Sequence, residues 1–564
     1  MLAQYLLGKF RALVRLLIQC VSPRQVKLET ATYLRGSKTS ELDDEDHNVV
    51  EWAFSGAYDG DKPILIDAEN PARSLSKNKS LDLVTRLSGS FEPGSTVCLH
   101  LQNNILYPIL VLAILATGCK WTGTNPACTR SELEDHLRVS RSKYIITSED
   151  HEDMVFDVLC RMDEDIELIL FSDVTVERPP SKDGKHPTLH DLLANSTFLP
   201  LESRYQRLSA RTAATLMASS GTTGLPKMAI RAHGALVCES RSDELQDAHK
   251  PYKIRRLFCT PMFHAYSFPK MVINPLRQGQ PTYYMQRFDD TFIQKLSLYS
   301  ITDIITVPPI LSRLVDQARG GDAKPLLQSL RTIICAGAPL TVKLRDEFIQ
   351  LFSNPPQLIQ EWGMTECGCI SRAGDLDADM PTTVGRPVAG YLVKISQEER
   401  VEIPGGGFAS ELLVKGPQLM DCYLGDDSAT ASHVTSDGWY KTGDVGYLDA
   451  RGRIFLVDRA KDIIKVNGWQ VSAAELEKTV LQVPGVMDAA ALSMGHSLDE
   501  HPYICVVRTD HGVSEKEIRE VLRSQLSRYK GSRCELQFVD GLPRAASGKL
   551  LRRKLKAQLT HREK

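Results

Sequence analysis

Residues 217–227 read Met-Ala-Ser-Ser-Gly-Thr-Thr-Gly-Leu-Pro-Lys. Ser219, Ser220, Thr222 and Thr223 bring hydroxyls, Gly221 and Gly224 bring conformational freedom, and Lys227 closes the run with a cation. Such a loop can wrap backbone N–H groups and side-chain donors around a polyphosphate, because glycine accepts φ > 0 and has no Cβ to hold the ligand away. It is not the loop of the common nucleoside triphosphatases. That loop needs GxxxxGK followed at once by Ser or Thr, whereas Leu225-Pro226 separates Gly224 from Lys227 and Met228 follows. A surface turn would look similar in isolation, so the rest of the chain has to decide.

The elements that would position this loop are legible around it. Apolar strand-like runs at 96–99, 144–147, 166–171, 301–307 and 331–335, with 213–217 leading into the loop, alternate with amphipathic helical stretches. That alternation predicts parallel α/β layers. Thr129-Arg130-Ser131-Glu132 has capping-box spacing just before Leu133, Leu137 and Val139, so a helix begins there. From about residue 384 the texture changes to short β-like pieces with Gly and Pro turns, ending in a strand pair joined by Asp449-Ala450-Arg451-Gly452. The charged run Asp458-Arg459-Ala460-Lys461-Asp462 marks a boundary. Beyond it, about 100 residues with two more capping-box patterns, at Ser472 and Ser514, suffice for a small domain.

The expected fold is therefore α/β: a large N-terminal lobe of parallel-type α/β subdomains plus a β-rich subdomain, with a small mobile α+β C-terminal domain. The expected divisions are a lead-in at 1–50, a large domain at 51–458 with its β-rich part at 384–458, a hinge at 459–461 and the small domain at 462–564.

Composition narrows the function classes. A chain of 564 residues, 42% hydrophobic and 24% charged, is that of a globular enzyme of several folding units. A formal net charge of −2 with both signs interspersed gives no sign of nucleic-acid binding as the main activity, and no nucleic-acid partner is expected. Thirteen cysteines without framework spacing point to a reduced, intracellular setting; a cytoplasmic location is expected, with a mitochondrial or membrane-associated one left open. Cys367-Gly368-Cys369 is a close pair with no second pair or histidine cluster beside it, which suits a pocket wall better than a metal site.

In residues 1–22, Leu2, Leu6, Phe10, Leu13, Leu17 and Val21 recur at helical spacing among Lys9, Arg11 and Arg15. The basic residues break the apolar run, so neither a secretory core nor a membrane span fits. Two readings stay open: a mitochondrial-type or interfacial helix in contact with a membrane surface, and a helix packed on the protein body. The C-terminal His561-Arg562-Glu563-Lys564 is not a peroxisomal signal of the Ser-Lys-Leu type.

Taken in order, residues 219–227, Glu361-Trp362-Gly363-Met364-Thr365-Glu366, Tyr440-Lys441-Thr442-Gly443-Asp444, Asp458-Arg459-Ala460-Lys461 and Ser547-Gly548-Lys549 resemble the motif set of the adenylate-forming superfamily. Within it, Pro261-Met262-Phe263-His264-Ala265-Tyr266, Ala336-Gly337-Ala338-Pro339-Leu340 and the block 464–471 resemble coumarate-CoA ligase-like acyl-CoA synthetases. The resemblance spans about residues 50 to 556.

It implies an ATP-dependent acid-thiol ligase. A carboxylate would attack the α-phosphate of ATP, releasing pyrophosphate and leaving an acyl-adenylate, and a thiol would then displace AMP. By resemblance, residues 219–227 cradle the β- and γ-phosphates. Thr365 bonds the α-phosphate, and Glu366 holds Mg²⁺ against phosphate oxygens. Trp362 stands where the family has Tyr beside the adenine, with Glu361, Gly363 and Met364 around it, and Gly337, Ala338 and Pro339 form the opposite wall. Asp444 accepts from the ribose hydroxyls, with Arg459 nearby. Lys549 reaches the reacting carboxylate, His264 gates between acyl pocket and thiol tunnel, and Lys461 is the hinge. After rotation, Lys465 and Gln470 join the nucleotide site and Gly468 lines the thiol tunnel.

The same resemblance lines the acyl pocket with Tyr266, Val307, Cys335, Ala336, Glu361, Cys369 and Ile370. Glu361 departs from the pattern, since related ligases carry Gly there. A buried carboxylate wants a partner, so either the small-acid substrate supplies a polar group or Glu361 pairs with protein and shortens the cavity. For the thiol, CoA comes first and a carrier protein is the rival. An ATPase or kinase making ADP, and a silent nucleotide-binding homologue, are the remaining classes.

Overall fold

The parallel strands hold what the apolar runs promised. The computed structural model describes residues 34–36, 47–175, 186–195, 201, 208–219, 226–319, 324–374, 377, 379–398, 400–403, 407–466, 469–495, 501–509, 512–526, 534–544 and 549–562. All of them fall in the compact unit Leu34–Lys564. The expected N-terminal helix over residues 1–22 lies outside the described residues, as do Ser220, Gly221, Thr222, Thr223, Gly224 and Gly468.

Two large sheets form the main lobe. A seven-stranded sheet runs in the order Cys422–Tyr423, Lys227–Ala232, Ala213–Ser219, Lys120–Gly123, Thr96–His100, Tyr144–Thr147, Glu167–Leu170. It is parallel from Ala213–Ser219 onward and antiparallel at the other edge. Thr96–His100 is buried at all five positions, as expected of a strand covered on both faces. A nine-stranded sheet runs Arg386–Pro387, Gly368–Arg372, Gln357–Met364, Thr332–Cys335, Asp303–Thr306, Arg256–Phe258, Thr282–Tyr284, Pro63–Asp67, Ser74–Ser76. Its six central strands are parallel. In open parallel sheets, ligands collect beyond the carboxyl ends of the strands. Ser219, Val307, Ala336 and Met364 all stand at or just past such ends.

Two helices show how sequence sets depth. Tyr107–Ala116 is apolar on every side and buried at every residue. His233–Asp247 looks polar, yet Glu239 and Asp243 on it are buried, and Asp247 pairs with Arg256. Their cations come from both sheets: Arg231 from the seven-stranded one, Arg372 and Arg256 from the nine-stranded one. Arg231 and its partner Glu239, 2.7 Å apart, are nearly sealed from solvent.

The β-rich part is an antiparallel sheet of Leu34–Arg35, Leu392–Ile395, Phe408–Lys415, Tyr440–Leu448 and Ile454–Arg459, with Val401–Glu402 on its flank. After Arg459 comes the short 3-10 turn Ala460–Asp462. Beyond it, the hairpin Ile463–Val466/Trp469–Ser472, the three strands Val486–Met494, His501–Arg508 and Glu535–Phe538, and the helices Ala473–Val480 and Glu515–Gln525 enclose a core of their own.

The capping boxes at Thr129 and Ser514 form with both halves present. Ser472 accepts from the Glu475 N–H, and Asp458 completes that helix start by accepting from the Ser472 hydroxyl at 2.7 Å and the Ala474 N–H at 2.9 Å. A further box, Thr188 with Asp191, escaped the sequence pattern because Asp replaces Glu at its third position.

Candidate active site

The site is built where the parallel strands of both sheets end and the β-rich sheet begins. Gln357–Met364 carries Glu361, Trp362, Gly363 and Met364, and its antiparallel neighbour Gly368–Arg372 carries Cys369 and Ile370. The two chains approach so closely that a Cβ on Gly363 would lie 2.3 Å from the Gly368 carbonyl oxygen. Glycine is required there by space. Gly337, at φ +83°, turns the loop after Thr332–Cys335. Gly337 and Pro339 are exposed and Ala338 is half-buried, so this loop forms an open lip.

Asp444 is held at both carboxylate oxygens. Trp362 donates its indole N–H to Asp444 Oδ2 at 2.7 Å, and Arg459 Nε stands 2.6 Å from Oδ1. Burial pushes this carboxyl up, and Arg459, Trp362 and Lys549 counter it. The indole ring itself is only 4% exposed and packs with Cys367, Ile370 and Tyr391. The residue expected beside the adenine thus also holds Asp444 through its N–H. Ile370, expected in the acyl pocket, is wholly buried in that same core.

Glu366 is buried and accepts from the Tyr423 hydroxyl at 2.8 Å, which lies 3.2 Å from the Tyr440 hydroxyl. Lys227 stands 5.3 Å over the Tyr423 ring and 3.7 Å from Asp426. Tyr423 was not singled out from sequence. Its strand has two residues, too short to show a period.

Lys549, although 90 residues beyond Arg459 in sequence, is brought beside the same groups. Burial, with Arg459 and Lys461 as neighbouring cations, lowers its ammonium to about 8, while Asp444 and Glu366 pull the other way. Burial and then Lys549 hold His264 down at about 4, so its imidazole is neutral near pH 7. A cavity of about 220 Å³ opens beside His264 and Thr365, walled by Gly123, Thr124, His136 and Phe263. Lys461 lies exposed on the turn after Arg459. The backbones of Lys465 and Gln470 face each other in the hairpin.

Glu361 has protein partners. Arg372 Nε donates to Glu361 Oε1 at 2.6 Å and Lys270 Nζ lies 3.3 Å from Oε2. Both cations also meet Asp243, Arg372 through Oδ1 and Lys270 at 3.5 Å from Oδ2, where Asn274 donates at 2.9 Å. Burial pushes the Asp243 carboxyl up, but Lys270 and Arg372 outweigh it and hold it below its ordinary value. Glu361, Cys335 and Cys369 are near enough to Tyr266 to act on it electrostatically. Tyr266 donates its hydroxyl to the Ile334 carbonyl at 2.9 Å, and burial raises both thiols.

Residues 56–424 match the family model for the AMP-binding enzyme, and 475–549 match the AMP-binding enzyme C-terminal domain. The chain belongs to the AMP-binding enzyme family. This AMP-binding enzyme is 46% identical over 521 residues to acyl-CoA ligase M9 of Phoma sp., covering 91% of this chain and 96% of that one. It is 33% identical to phenylacetyl-CoA ligase epaB of Aspergillus niger, covering 90% and 96%. Among solved structures, the anthranilate CoA ligase AuaEII in complex with anthranoyl-AMP shares the fold of this AMP-binding enzyme at a TM-score of 0.78 and 20% identity, covering 93% and 99%. ATP-bound MatB from Rhodopseudomonas palustris does so at 0.77 and 22%, covering 91% and 98%. No helix among the described residues is long and apolar enough to cross a membrane.

Proposed function

We infer that this AMP-binding enzyme is an AMP-forming acyl-CoA ligase. The observation that carries the reading is the convergence of Lys549 with Asp444, Arg459, Glu366 and His264, which come from widely separated segments. A lysine lowered to about 8 is still roughly nine-tenths protonated at pH 7. It can therefore donate to an incoming carboxylate and to the α-phosphate, where negative charge gathers in the transition state. The fixed donors cost no reorganisation at that moment.

In this reading, residues 219–227 hold the β- and γ-phosphates, Thr365 the α-phosphate, and Asp444 the ribose hydroxyls, with the lip at Gly337, Ala338 and Pro339 beside the adenine. Among the described residues no cluster of three acid, histidine or cysteine side chains could hold a metal. Glu366, oriented by the Tyr423 hydroxyl on one oxygen, fits a site completed by the nucleotide's own phosphate oxygens. Bound there, Mg²⁺ would offset phosphate charge. The small domain, 462–564, would turn about 459–461 to exchange Lys549 for a thiol-binding face. Lys465, Gln470 and Gly468 belong to that second state. The cavity beside His264 and Thr365 is where the CoA thiol would approach the adenylate, with the neutral His264 at its mouth. A carrier protein as acceptor is the second reading.

The test is pyrophosphate and AMP formation with ATP, Mg²⁺ and a panel of aryl, short-chain and medium-chain acids, with and without CoA. CoA-dependent AMP formation is the expected result, and Lys549→Ala should lose roughly a hundred- to thousand-fold in adenylation rate. ADP as product would overturn the reading. Adenylate formation indifferent to CoA would move the acceptor to a carrier protein.

A further inference from the structure

Lys270 is a buried cation to which the ligase reading gives no task. It lies in the π-helical turn Pro269–Ile273 and is 5% exposed. Single π turns recur where a side chain must be aimed off the α-helical path. Its Nζ is 3.3 Å from Glu361, 3.5 Å from Asp243 and 5.5 Å over the ring of Tyr266. Arg372 is placed differently, with close hydrogen bonds to both acids. The two acids are thus already served by Arg372 and Asn274, and Lys270 adds longer contacts. An ammonium has three donors, and here it also overlooks the ring of Tyr266.

We propose that Lys270 determines specificity at the far end of the acyl pocket. It selects acids that carry a neutral hydrogen-bond acceptor, such as a hydroxyl, ether or carbonyl oxygen, remote from the reacting carboxylate. The proposal rests on the ligase reading.

Three observations define the class. Glu361, Asp243, Lys270 and Arg372 sum to zero charge without a ligand, so a second carboxylate would enter as an unbalanced buried charge near two like charges. A cationic substituent would meet Lys270 itself. The Tyr266 hydroxyl is committed to Ile334, and the two un-ionised thiols offer only weak S–H donors, which leaves Lys270 as the strong donor for an incoming oxygen. A plain acyl group would cover the ammonium without replacing its lost water contacts, and sites built this way discriminate strongly.

The experiment compares kcat/KM for pyrophosphate release by the full chain on two matched pairs, para-hydroxyphenylacetate with phenylacetate and para-hydroxybenzoate with benzoate. Terephthalate serves as the terminal-carboxylate control. At least one hydroxylated acid should be preferred by roughly ten- to hundred-fold. That ratio should collapse toward one in Lys270→Met and be partly kept in Lys270→Arg. Equal rates within both pairs in the natural protein, a preference for terephthalate, or an unchanged ratio in Lys270→Met would each overturn the proposal. Should Lys270→Met not fold, the natural protein's ratio and Lys270→Arg still decide. No pyrophosphate with any acid would remove the ligase reading itself, whereas release without preference removes only this inference.

Discussion

Replacing Trp362 by Phe keeps an aromatic ring in the core and deletes one hydrogen-bond donor, the N–H 2.7 Å from Asp444 Oδ2. A hydrogen bond to a charged group contributes about 1.5–3 kcal/mol. At about 1.4 kcal/mol per tenfold, its loss is worth roughly ten- to hundred-fold in the step that needs Asp444 oriented. Arg459 still holds Oδ1, so the carboxylate would pivot, and burial would push its proton affinity further up. If Asp444 receives the ribose hydroxyls, the loss falls on the KM for ATP. The decisive assay is ATP–pyrophosphate exchange with ATP and with 2′-deoxy-ATP. The variant should lose more with ATP, so that discrimination between the two nucleotides shrinks. An unchanged KM for ATP would refute the reasoning. Equal losses with both nucleotides would show that the indole serves adenine or core packing and that Asp444 does not depend on it.

Two further outcomes follow from the same geometry. Arg372→Met should destabilise the main lobe by about 3–5 kcal/mol, because Asp243 and Glu361 would be left sharing Lys270; denaturant unfolding that changes by less than about 1 kcal/mol would contradict the network's role. Adenylation should decline as pH rises through about 8, where the lowered Lys549 loses its proton, while His264, neutral from about 4 upward, adds no step between pH 5 and 8. A pH profile of pyrophosphate exchange whose alkaline limb lies instead near the ordinary lysine value would count against Lys549 as the donor.

The parallel strands were legible because burial on both faces makes a continuous apolar run, and Thr96–His100 reads that way residue by residue. The capping boxes at Thr129 and Ser514 were legible because both partners lie within one helical turn. What could not be read were partners distant in sequence. Arg372 meets Asp243 across 129 positions, and nothing local to either marks the other. Glu361 did signal that a buried carboxylate needed a partner, but which of the chain's 68 Lys and Arg residues would answer is a property of the folded sheets. The Trp362 N–H that reaches Asp444 was not legible either, because it depends on two strands 82 residues apart.

The acids of His233–Asp247 recur at Glu239, Asp243 and Asp247, one per helical turn, and each is anchored to a cation on one of the two sheets. A helix fastened this way cannot be peeled from one sheet while staying on the other without exposing an orphaned charge in the gap. The two sheets should therefore open together, as one cooperative unit in amide exchange. The C-terminal strands and helices, with a core of their own, are free of that constraint. Rigidity is concentrated around the helix His233–Asp247, and compliance lies in the C-terminal strands and helices.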